Sequence, residues 1–220
     1  EKFRAVEDKL GTQMKAVGEV MSIGKTYKET FQKAIRALER GRAGLGFVKD
    51  FHERTLDELL KMLSVPNSER HFQMYEALRK GATDEQLFAI TGVKAYFVQQ
   101  MRELVQEEEE ILKYKGSLPP DALLVQAKKD GFSDKYLAQL LDVPEKDIAS
   151  EIIREKILRL FDKEVPHGTA VEIEKFSDGE DLLRIEAAIY CEKNSHKSII
   201  IGKGGEALKR VGSYARADME

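Results

Sequence analysis

The sequence has one cysteine and no tryptophan, and only five prolines interrupt its 220 residues. A single cysteine excludes an internal disulfide and favours a reducing compartment, so a cytoplasmic location is expected. No apolar run approaches the length of a membrane-spanning helix, and the first residues do not resemble a signal peptide. The net charge is −3, so any nucleic-acid site must be a local basic patch. The chain begins at Glu1 rather than at methionine, which suggests a segment excised from a longer chain.

Hydrophobic residues make up 42% of the chain and charged residues 34%, a composition that can fill a core. A loosely alternating stretch from Met14 to Ile23 predicts a short strand. From Thr26 the apolar period becomes helical, and Thr26 with Glu29 forms a capping box where that helix begins. After the glycine-rich loop 41–46 the pattern is helical almost throughout, with helices predicted over Thr55–Leu63, Glu69–Arg79, Asp84–Thr91, Ala95–Tyr114 and Pro120–Lys129.

An internal repeat lies within the helical part. The segment 81–84 (GATD) recurs fifty positions later as the segment 131–134 (GFSD), and each is followed by apolar residues at the same spacings. In each copy the glycine ends one helix, and Thr83 or Ser133 caps the next. The sequence therefore predicts two copies of a small helical hairpin packed on each other.

The pattern changes after Ala149. Residues 150–164 predict a helix, and residues 170–174 and 183–192 alternate apolar and polar side chains, which is typical of half-buried strands. A short helix through 199–201 and a last helix from Glu206 follow. The predicted fold class is therefore mostly α, with an all-helical N-terminal part followed by a small α+β domain.

Two segments imitate nucleotide or DNA sites without meeting their requirements. The segment 18–26 (GEVMSIGKT) places five residues between its first glycine and Gly-Lys-Thr, where a phosphate-binding P-loop needs four. Residues 133–152 imitate a helix-turn-helix, but the second helix is acidic and has no side chain placed to read base edges. We therefore expect no nucleotide site in the first segment, and structural packing is the better interpretation of the second.

Titratable side chains do not form a catalytic or metal-binding pattern either. The run Glu107–Glu110 spreads around a helix axis, which predicts a solvated face rather than a cation site. Cys191 falls on the inward face of its strand and is interpreted as a small core residue. The four histidines, His52, His71, His167 and His196, show no metal-ligand spacing. Because none of these groups forms a site, no enzyme activity, metal or cofactor is expected.

The turn Gly202-Lys203-Gly204-Gly205 differs from these segments because several signals agree there. It follows the apolar run Ile199-Ile200-Ile201, its glycines let the backbone approach a bulky group, and the next helix directs free N–H groups the same way. The segment 193–216 has six basic residues and one acid, Glu206. The basic residues are Lys193, Lys197, Lys203, Lys209, Arg210 and Arg216. This combination predicts a site for a nucleic-acid backbone, and a tight turn with solvated lysines is the structural alternative.

Residues 149–220 resemble the type II KH domain of the Era family of ribosome-assembly GTPases. The segments that carry the resemblance are 150–157 (SEIIREKI), 164–167 (EVPH), 183–192 and 198–208, in the family's order. The resemblance implies binding of single-stranded RNA, in the family the 3′ end of small-subunit ribosomal RNA. The residues Gly202, Lys203, Gly204 and Gly205 would hold the RNA backbone, with Lys197, Lys209 and Arg210 beside them, and Ile199, Ile200 and Ile201 would form the groove wall with the last helix. The family's GTPase domain and the last strand of its sheet are missing from this chain, so no GTP hydrolysis and a sheet one strand short are expected.

Residues 1–148 resemble a different protein, the large subunit of carbamoyl-phosphate synthetase. The segments 1–3 (EKF), 11–15 (GTQMK) and 18–26 are similar to the end of its first ATP-grasp unit, and the helices after Gly46 are similar to its oligomerisation domain. The resemblance implies a short strand and helix over residues 1–40, and over 41–148 a helical domain that mediates subunit contacts without catalysis. The family's Glu-x-Asn-Pro-Arg metal-binding segment is absent from the sequence, so no ATP chemistry is expected.

The two resemblances meet at residues 143–150, where a helix of one continues into the first helix of the other without a flexible linker. Our hypothesis is that the chain is a chimera, either an engineered helical fusion or a chain composed from two sources. The predicted function is a non-enzymatic, RNA-binding KH module, with single-stranded RNA as partner, on a helical scaffold whose oligomeric state, monomer or homo-oligomer, the sequence leaves open. The alternative is a structural or oligomerisation scaffold that binds no ligand.

Overall fold

The computed structural model describes residues 7–15, 19–38, 41–161, 168–178 and 183–219. These residues form two compact units, of which the first contains the chain up to Lys113 and Lys129–Phe132, and the second contains Tyr114–Lys128 and the chain from Ser133 onward. The first unit is helical, and the second combines helices with a two-stranded sheet. The predicted fold class, mostly helical with a small α+β part at the C-terminal side, is confirmed.

Six helices build the first unit: α1 (Tyr27–Ala37), α2 (Lys49–His52), α3 (Leu56–Leu63), α4 (Arg70–Arg79), α5 (Asp84–Thr91) and α6 (Ala95–Leu112). Three of them begin at threonines, Thr26, Thr55 and Thr83, whose hydroxyls accept a hydrogen bond from a backbone N–H in the first turn. These caps satisfy donors that the start of a helix leaves without a partner. The cap predicted at Thr26 is thereby confirmed, but the predicted capping box is only half formed, because the Glu29 carboxylate accepts from the Lys25 N–H and not from that of Thr26.

The segment before α1 is not the predicted strand. Its described residues, 7–15 and 19–26, contain no strand, so the strand predicted over Met14–Ile23 is wrong there; residues 16–18 lie outside the described residues. The segment instead contacts α1, where the Ser22 hydroxyl donates a hydrogen bond to the Thr30 carbonyl at 2.7 Å. Alternation forms a strand only where a partner strand satisfies the backbone, and no such partner lies beside this segment in the described part of the chain.

An ionic network centred on Arg79 lies in the interior of the first unit. The Arg79 guanidinium, on α4, pairs with the Glu108 carboxylate of α6 at 2.5 Å and also contacts Glu109. It lies over the Phe47 ring, 4.3 Å from the centroid. Burial acts to lower the pKa of Arg79, but the carboxylates of Glu108 and Glu76 outweigh burial and raise it. The guanidinium is therefore a permanent cation inside the unit.

Two further side chains complete the network. The Glu76 carboxylate accepts a hydrogen bond from the Phe47 N–H at 2.7 Å and lies 3.1 Å from His52 Nδ1. The Tyr75 hydroxyl donates to Glu108 at 2.7 Å. The network joins α4 to α6 and to the chain around Phe47, where apolar packing alone would leave these polar groups unsatisfied.

The acidic run at 107–110 has two environments. Glu109 and Glu110 are exposed, as predicted, whereas Glu108 is 0% exposed within the Arg79 network and Glu107 is half-buried. The prediction of a solvated face is therefore wrong for Glu108. Consecutive helical residues differ by about 100° around the axis, so a run of four must present some members to the core.

The free energy of unfolding of the first unit is expected to depend on pH through Glu107. Burial and the negative charge of Asp130 raise the pKa of Glu107 from 4.5 to about 8. Between these two values the folded state keeps a proton that the unfolded chain has lost, so stability falls as the pH rises through this window. The Glu107→Gln variant should flatten this dependence and unfold at higher urea concentration than wild type at pH 9.

Urea unfolding at pH 5, 7 and 9 measures this effect. The matched control is Glu110→Gln, which removes an exposed carboxyl of the same helix and should keep the wild-type slope against pH. Parallel curves for wild type and Glu107→Gln would contradict the prediction.

The second unit opens with three helices and continues with the sheet and two more: α7 (Asp121–Lys129), α8 (Asp134–Leu141), α9 (Glu145–Leu160), β1 (Thr169–Asp178), β2 (Leu183–Cys191), α10 (Asn194–Ile201) and α11 (Glu206–Met219). The strands pair antiparallel, with Val171 opposite Ile189 and a bulge after Ile173. Helix α9 packs on β1 and α11, and the Ser150 hydroxyl donates to the Val171 carbonyl at 2.8 Å. No helix in the described ranges has the length and apolarity to cross a membrane.

The predicted repeat has the same local structure in both copies. Thr83 caps α5 and Ser133 caps α8, each hydroxyl accepting from the N–H three residues later. The helices also end alike, at Gly92 and Asp142, which have φ values of 69° and 56°. The capping residues predicted from the sequence are confirmed, whereas the left-handed end at Asp142 was not predicted.

Helix α9 joins the two halves of the sequence. It is one helix of 16 residues from Glu145 to Leu160, and it begins within the segment 143–150 where the two resemblances meet. Its N-terminal part packs on α8, and its C-terminal part carries Ile157 into the core beside α10 and α11.

Candidate nucleic-acid interface

The glycine turn is positioned by a small apolar core. Ile157, Ile200 and Val211 are its buried residues, contributed by α9, α10 and α11. Val171, Ile189 and Cys191 of the sheet pack against them, so Cys191 is a core contact as predicted. This core fixes where α10 ends and α11 begins, and therefore where the turn between them lies.

The apolar run before the turn divides between core and surface. Ile200 is only 2% exposed, whereas Ile199 and Ile201 are 49% and 39% exposed. The assignment of Ile200 to a groove wall is therefore wrong, because the helical rotation turns the middle residue of the run inward. Ile199 and Ile201 remain surface candidates, and Leu208, which is 40% exposed after the turn, joins them. The sequence signal for Leu208 was an apolar residue beside Lys209 and Arg210, spaced to lie on the same face of α11 as Val211 and Ala215.

Gly202 ends α10 in a conformation that only glycine adopts readily. Its φ and ψ are 72° and 178°, and a Cβ atom built there would lie 2.6 Å from the Ala207 Cβ. The first glycine of the turn therefore allows close packing of the loop against α11. Gly202 therefore has a packing role on its Cβ side, and its backbone is half-buried within the turn.

A Gly202→Ala substitution should destabilise the second unit. Strained backbone and the clash with Ala207 should lower the free energy of unfolding by about 2–3 kcal/mol. Thermal unfolding followed by circular dichroism measures the loss. The control is Gly212→Ala in α11, where an added Cβ meets nothing within 4 Å and helix propensity should increase stability slightly. Equal melting temperatures for Gly202→Ala and wild type would contradict the prediction.

Gly204 and Gly205 form the open part of the turn. Both have positive φ, 62° and 82°, and a Cβ built on either meets nothing within 4 Å. Lys203 lies between Gly202 and Gly204 with its side chain exposed. The turn is a single 3-10 turn over Lys203–Gly205, after which α11 begins at Glu206. Bare backbone beside a lysine and a helix N-terminus is suited to a phosphate group.

Positive charge surrounds the turn without internal neutralisation. Lys197, Lys203, Lys209 and Arg210 are all exposed, and none forms an ion pair within the described residues. On α11 the buried stripe contains Val211 and Ala215, so Lys209 and Arg210 lie on the opposite, solvent-facing side. The predicted glycines and cations thus lie on or beside one turn and are exposed or half-buried, whereas Ile200 is buried.

The other motif candidates do not form sites in the described residues. In the P-loop-like segment, the Glu29 carboxylate accepts from the Lys25 N–H at 2.6 Å and occupies the place a phosphate would need. His52 contacts Glu76, His71 packs on Phe72, and His196 is buried; His167 lies outside the described residues. No group of three metal-ligating side chains occurs in the described ranges.

Comparisons with known proteins assign both parts of the chain. The family described as carbamoyl-phosphate synthetase large chain, oligomerisation domain, matches residues 19–157, and the family described as KH domain matches residues 164–220. The carbamoyl phosphate synthase large chain of Pseudomonas aeruginosa is 39% identical over 162 residues, covering 73% of this chain and 15% of that protein. The corresponding N-terminal section from Methanopyrus kandleri is 38% identical over 160 residues, covering 67% of this chain and 28% of that protein. The chain thus spans only a small part of the length of these relatives.

Two solved structures match the C-terminal part. One is Era of Aquifex aeolicus bound to GDP and aluminium fluoride, 39% identical, covering 36% of this chain and 27% of that chain with a TM-score of 0.35. The other is Era in complex with a GTP analogue and nucleotides 1506–1542 of 16S ribosomal RNA, with the same identity and coverage and a TM-score of 0.34.

The first part of the chain is helical. The second part has a glycine turn between two helices beside an antiparallel sheet, which is the arrangement of a KH domain. The chain belongs to the family of the carbamoyl-phosphate synthetase large chain oligomerisation domain, and its KH domain follows from residue 164. Both resemblances seen in the sequence are confirmed. The oligomerisation-domain match continues to residue 157, beyond the predicted limit at 148, and therefore includes most of α9.

Proposed function

We propose that the chain is a non-enzymatic RNA-binding module in which the turn Gly202–Gly205 holds the backbone of single-stranded RNA. The observation that carries the proposal is the open backbone of Gly204 and Gly205 next to the exposed Lys203. A bare peptide surface of this kind accommodates a phosphate and sugar that a side chain would exclude. The KH family of this region supports the same assignment.

The cations define the electrostatic part of the site. Lys197, Lys203, Lys209 and Arg210 are available to neutralise phosphates, because none is already paired with a carboxylate in the described residues. Ile199 and Ile201 offer exposed apolar surface next to the turn for the faces of unstacked bases. Single strands are favoured over duplexes because bases must be splayed out to use such a surface.

Ribosomal RNA is the RNA class to test first. The sequence of the KH region resembles that of Era, one structure of which contains nucleotides of 16S ribosomal RNA. The 3′-terminal segment of small-subunit ribosomal RNA is therefore the natural probe, with a scrambled single strand and a blunt duplex of equal length for comparison.

Titration of the full chain with labelled RNA at several salt concentrations tests the proposal. If three or four phosphates are neutralised, the logarithm of the affinity should fall with the logarithm of salt at a slope of about −2 to −3. The single strand should bind at least about ten-fold more tightly than the duplex. Absence of binding at low salt, or equal affinity for single strand and duplex, would refute the RNA assignment.

The competing function is a scaffold without a ligand. The observation in its favour is that the oligomerisation-domain match covers residues 19–157, most of the chain. In this alternative the helical part mediates contacts between copies, and the KH region binds no RNA. Light scattering on the purified chain measures the oligomeric state, and an oligomer combined with a negative RNA titration would favour the scaffold.

We also propose that the chain joins two parts of separate origin, whose junction lies in α9. The support is that the oligomerisation-domain match ends at residue 157, within α9, and the KH match begins at residue 164. Sequencing the source DNA across codons 143–164 tests this proposal. A native genomic reading frame spanning the junction would contradict an engineered fusion.

A further inference from the structure

The first unit contains an open cleft at the N-terminal ends of α4 and α6, distant in sequence from the glycine turn. Its volume is about 500 Å³, within the range of small-molecule sites. Its lining includes three aromatic and two basic side chains: Tyr27, Phe31, Phe97, Arg70 and Lys94. The RNA proposal does not involve this cleft.

Stacked and tilted aromatic rings form one wall of the cleft. Tyr27 stacks on Phe31 with ring centroids 5.4 Å apart and planes 13° apart. Phe97 tilts against Tyr27 with centroids 5.2 Å apart. Burial, with a smaller effect of the neighbouring Tyr96, raises the pKa of Tyr27, so this ring stays neutral at physiological pH. Such a wall suits the face of a planar ring.

Two cations line the same cleft, and no aspartate or glutamate is among its lining residues. Arg70, the first residue of α4, is half-buried and forms no ion pair or side-chain hydrogen bond within the described residues. Lys94, immediately before α6, is exposed and lies over the Phe88 ring at 5.5 Å. A half-buried guanidinium that has no carboxylate partner can form charge-assisted hydrogen bonds with an anionic ligand.

The start of α6 adds to this field. Helix α6 follows Lys94 and has neither a side-chain cap nor an acidic residue in its first turn, whereas α4 follows Glu69, whose carboxylate pairs with Arg42. The partial positive charge at the N-terminus of α6 therefore remains uncompensated by side chains of that turn. Aromatic walls and unpaired cations thus occur together in one cleft.

We propose that this cleft binds a planar aromatic anion, a ring that carries a phosphate or a carboxylate. The ring lies against Tyr27 and Phe97, and the anionic group contacts the Arg70 guanidinium and Lys94. Neither the oligomerisation-domain assignment nor the RNA proposal requires a ligand at this position.

Calorimetric titration of the full chain tests the proposal with four probes. Adenosine 5′-monophosphate carries ring and phosphate, whereas adenosine and inorganic phosphate each carry one part. Indole-3-acetate carries a ring and a carboxylate, so its comparison with adenosine 5′-monophosphate shows whether the cleft prefers a carboxylate or a phosphate. At least one of the two complete ligands should bind at least ten-fold more tightly than adenosine and inorganic phosphate, and its affinity should fall with rising salt.

Variants then locate the site. Arg70→Gln and Lys94→Gln should each weaken the aromatic anion about ten-fold and leave adenosine within two-fold, whereas Phe97→Ala should weaken both. Lys61→Gln, which removes an exposed cation from α3, should change neither. Because Arg70 and Lys94 have no ion pair to lose, thermal melts of their variants should match wild type.

Two results would overturn the proposal. The first is that neither complete ligand binds, or that the aromatic anion binds Arg70→Gln and Lys94→Gln as tightly as wild type. The second is that Gly204→Asp abolishes the binding, which would move the ligand to the RNA-binding turn. Failure of the RNA titration leaves this test unaffected, because the two sites share no residue.

Discussion

Gly204→Asp is expected to weaken the binding of single-stranded RNA by about 100-fold, or about 2.7 kcal/mol. Gly204 has an open surface in front of its Cα, since an added Cβ meets nothing within 4 Å. The new carboxylate would therefore project into the space proposed for the RNA backbone. It would repel the phosphate and neutralise Lys203, so that both the attraction and the close approach are lost.

Two variants separate charge from backbone strain in this experiment. Asparagine has nearly the same shape as aspartate and tolerates the positive φ of 62° at this position. Gly204→Asn should therefore lose only about ten-fold in affinity, because it fills the space without adding a charge. Gly212→Asp adds the same charge to an exposed, unobstructed position of α11, and should stay within about three-fold of wild type at physiological salt.

Fluorescence anisotropy with labelled single-stranded RNA measures all three variants, and circular dichroism checks that each is folded. Equal RNA affinity for folded Gly204→Asp and wild type would remove the turn from the binding site. Equal losses for Gly204→Asp and Gly212→Asp would show a general effect of charge instead of contact at the turn.

Arg79→Met is expected to destabilise the first unit by about 3–5 kcal/mol. Glu76 and Glu108, whose side chains are 0% exposed, would lose the cation that balances them. Methionine replaces most of the apolar stem, so the loss reports the uncompensated buried carboxylates more than a cavity. Urea unfolding followed by circular dichroism measures the change, and hydrogen exchange of α6 amides assigns it to this unit.

The matched control is Arg54→Met, which removes an arginine from an exposed pair with Glu58 at 3.5 Å. An exposed i,i+4 pair is worth only about 0.3–0.5 kcal/mol, so this variant should unfold almost like wild type. If Arg79→Met also lost less than about 1 kcal/mol, the network would not be a stabilising element of the unit.

The parts of the fold that local chemistry controls were predictable from the sequence. The sequence identified three helix caps, Thr26, Thr83 and Ser133. A short hydroxyl side chain just before a helical period can accept a hydrogen bond from a free N–H of the first turn. By contrast, Asp142 ends α8 in the left-handed conformation that glycine adopts at Gly92. Aspartate occurs there less often than glycine, and nothing local in the sequence distinguishes it from a turn residue.

Position relative to the core was less predictable. The run of three isoleucines indicated apolar surface, but only the packing of α10 against Ile157 and Val211 decided that Ile200 faces inward. Similarly, Glu108 belongs to an acidic run that predicts solvent exposure, yet it lies beside Arg79, which is distant in the sequence. A sequence does not show which distant charge will meet a given carboxylate.

The sequence by itself determined the two families and the glycine turn with its local excess of positive charge, because each depends on residues close together in the chain. Only the tertiary structure decided that Gly202 is a packing residue, that Glu108 balances Arg79 inside the first unit, and that aromatic rings and unpaired cations share a cleft. These features depend on groups that come together from separate parts of the chain. In a packed interior an unpaired charge is costly, and only glycine fits where a Cβ atom would clash with a neighbouring helix.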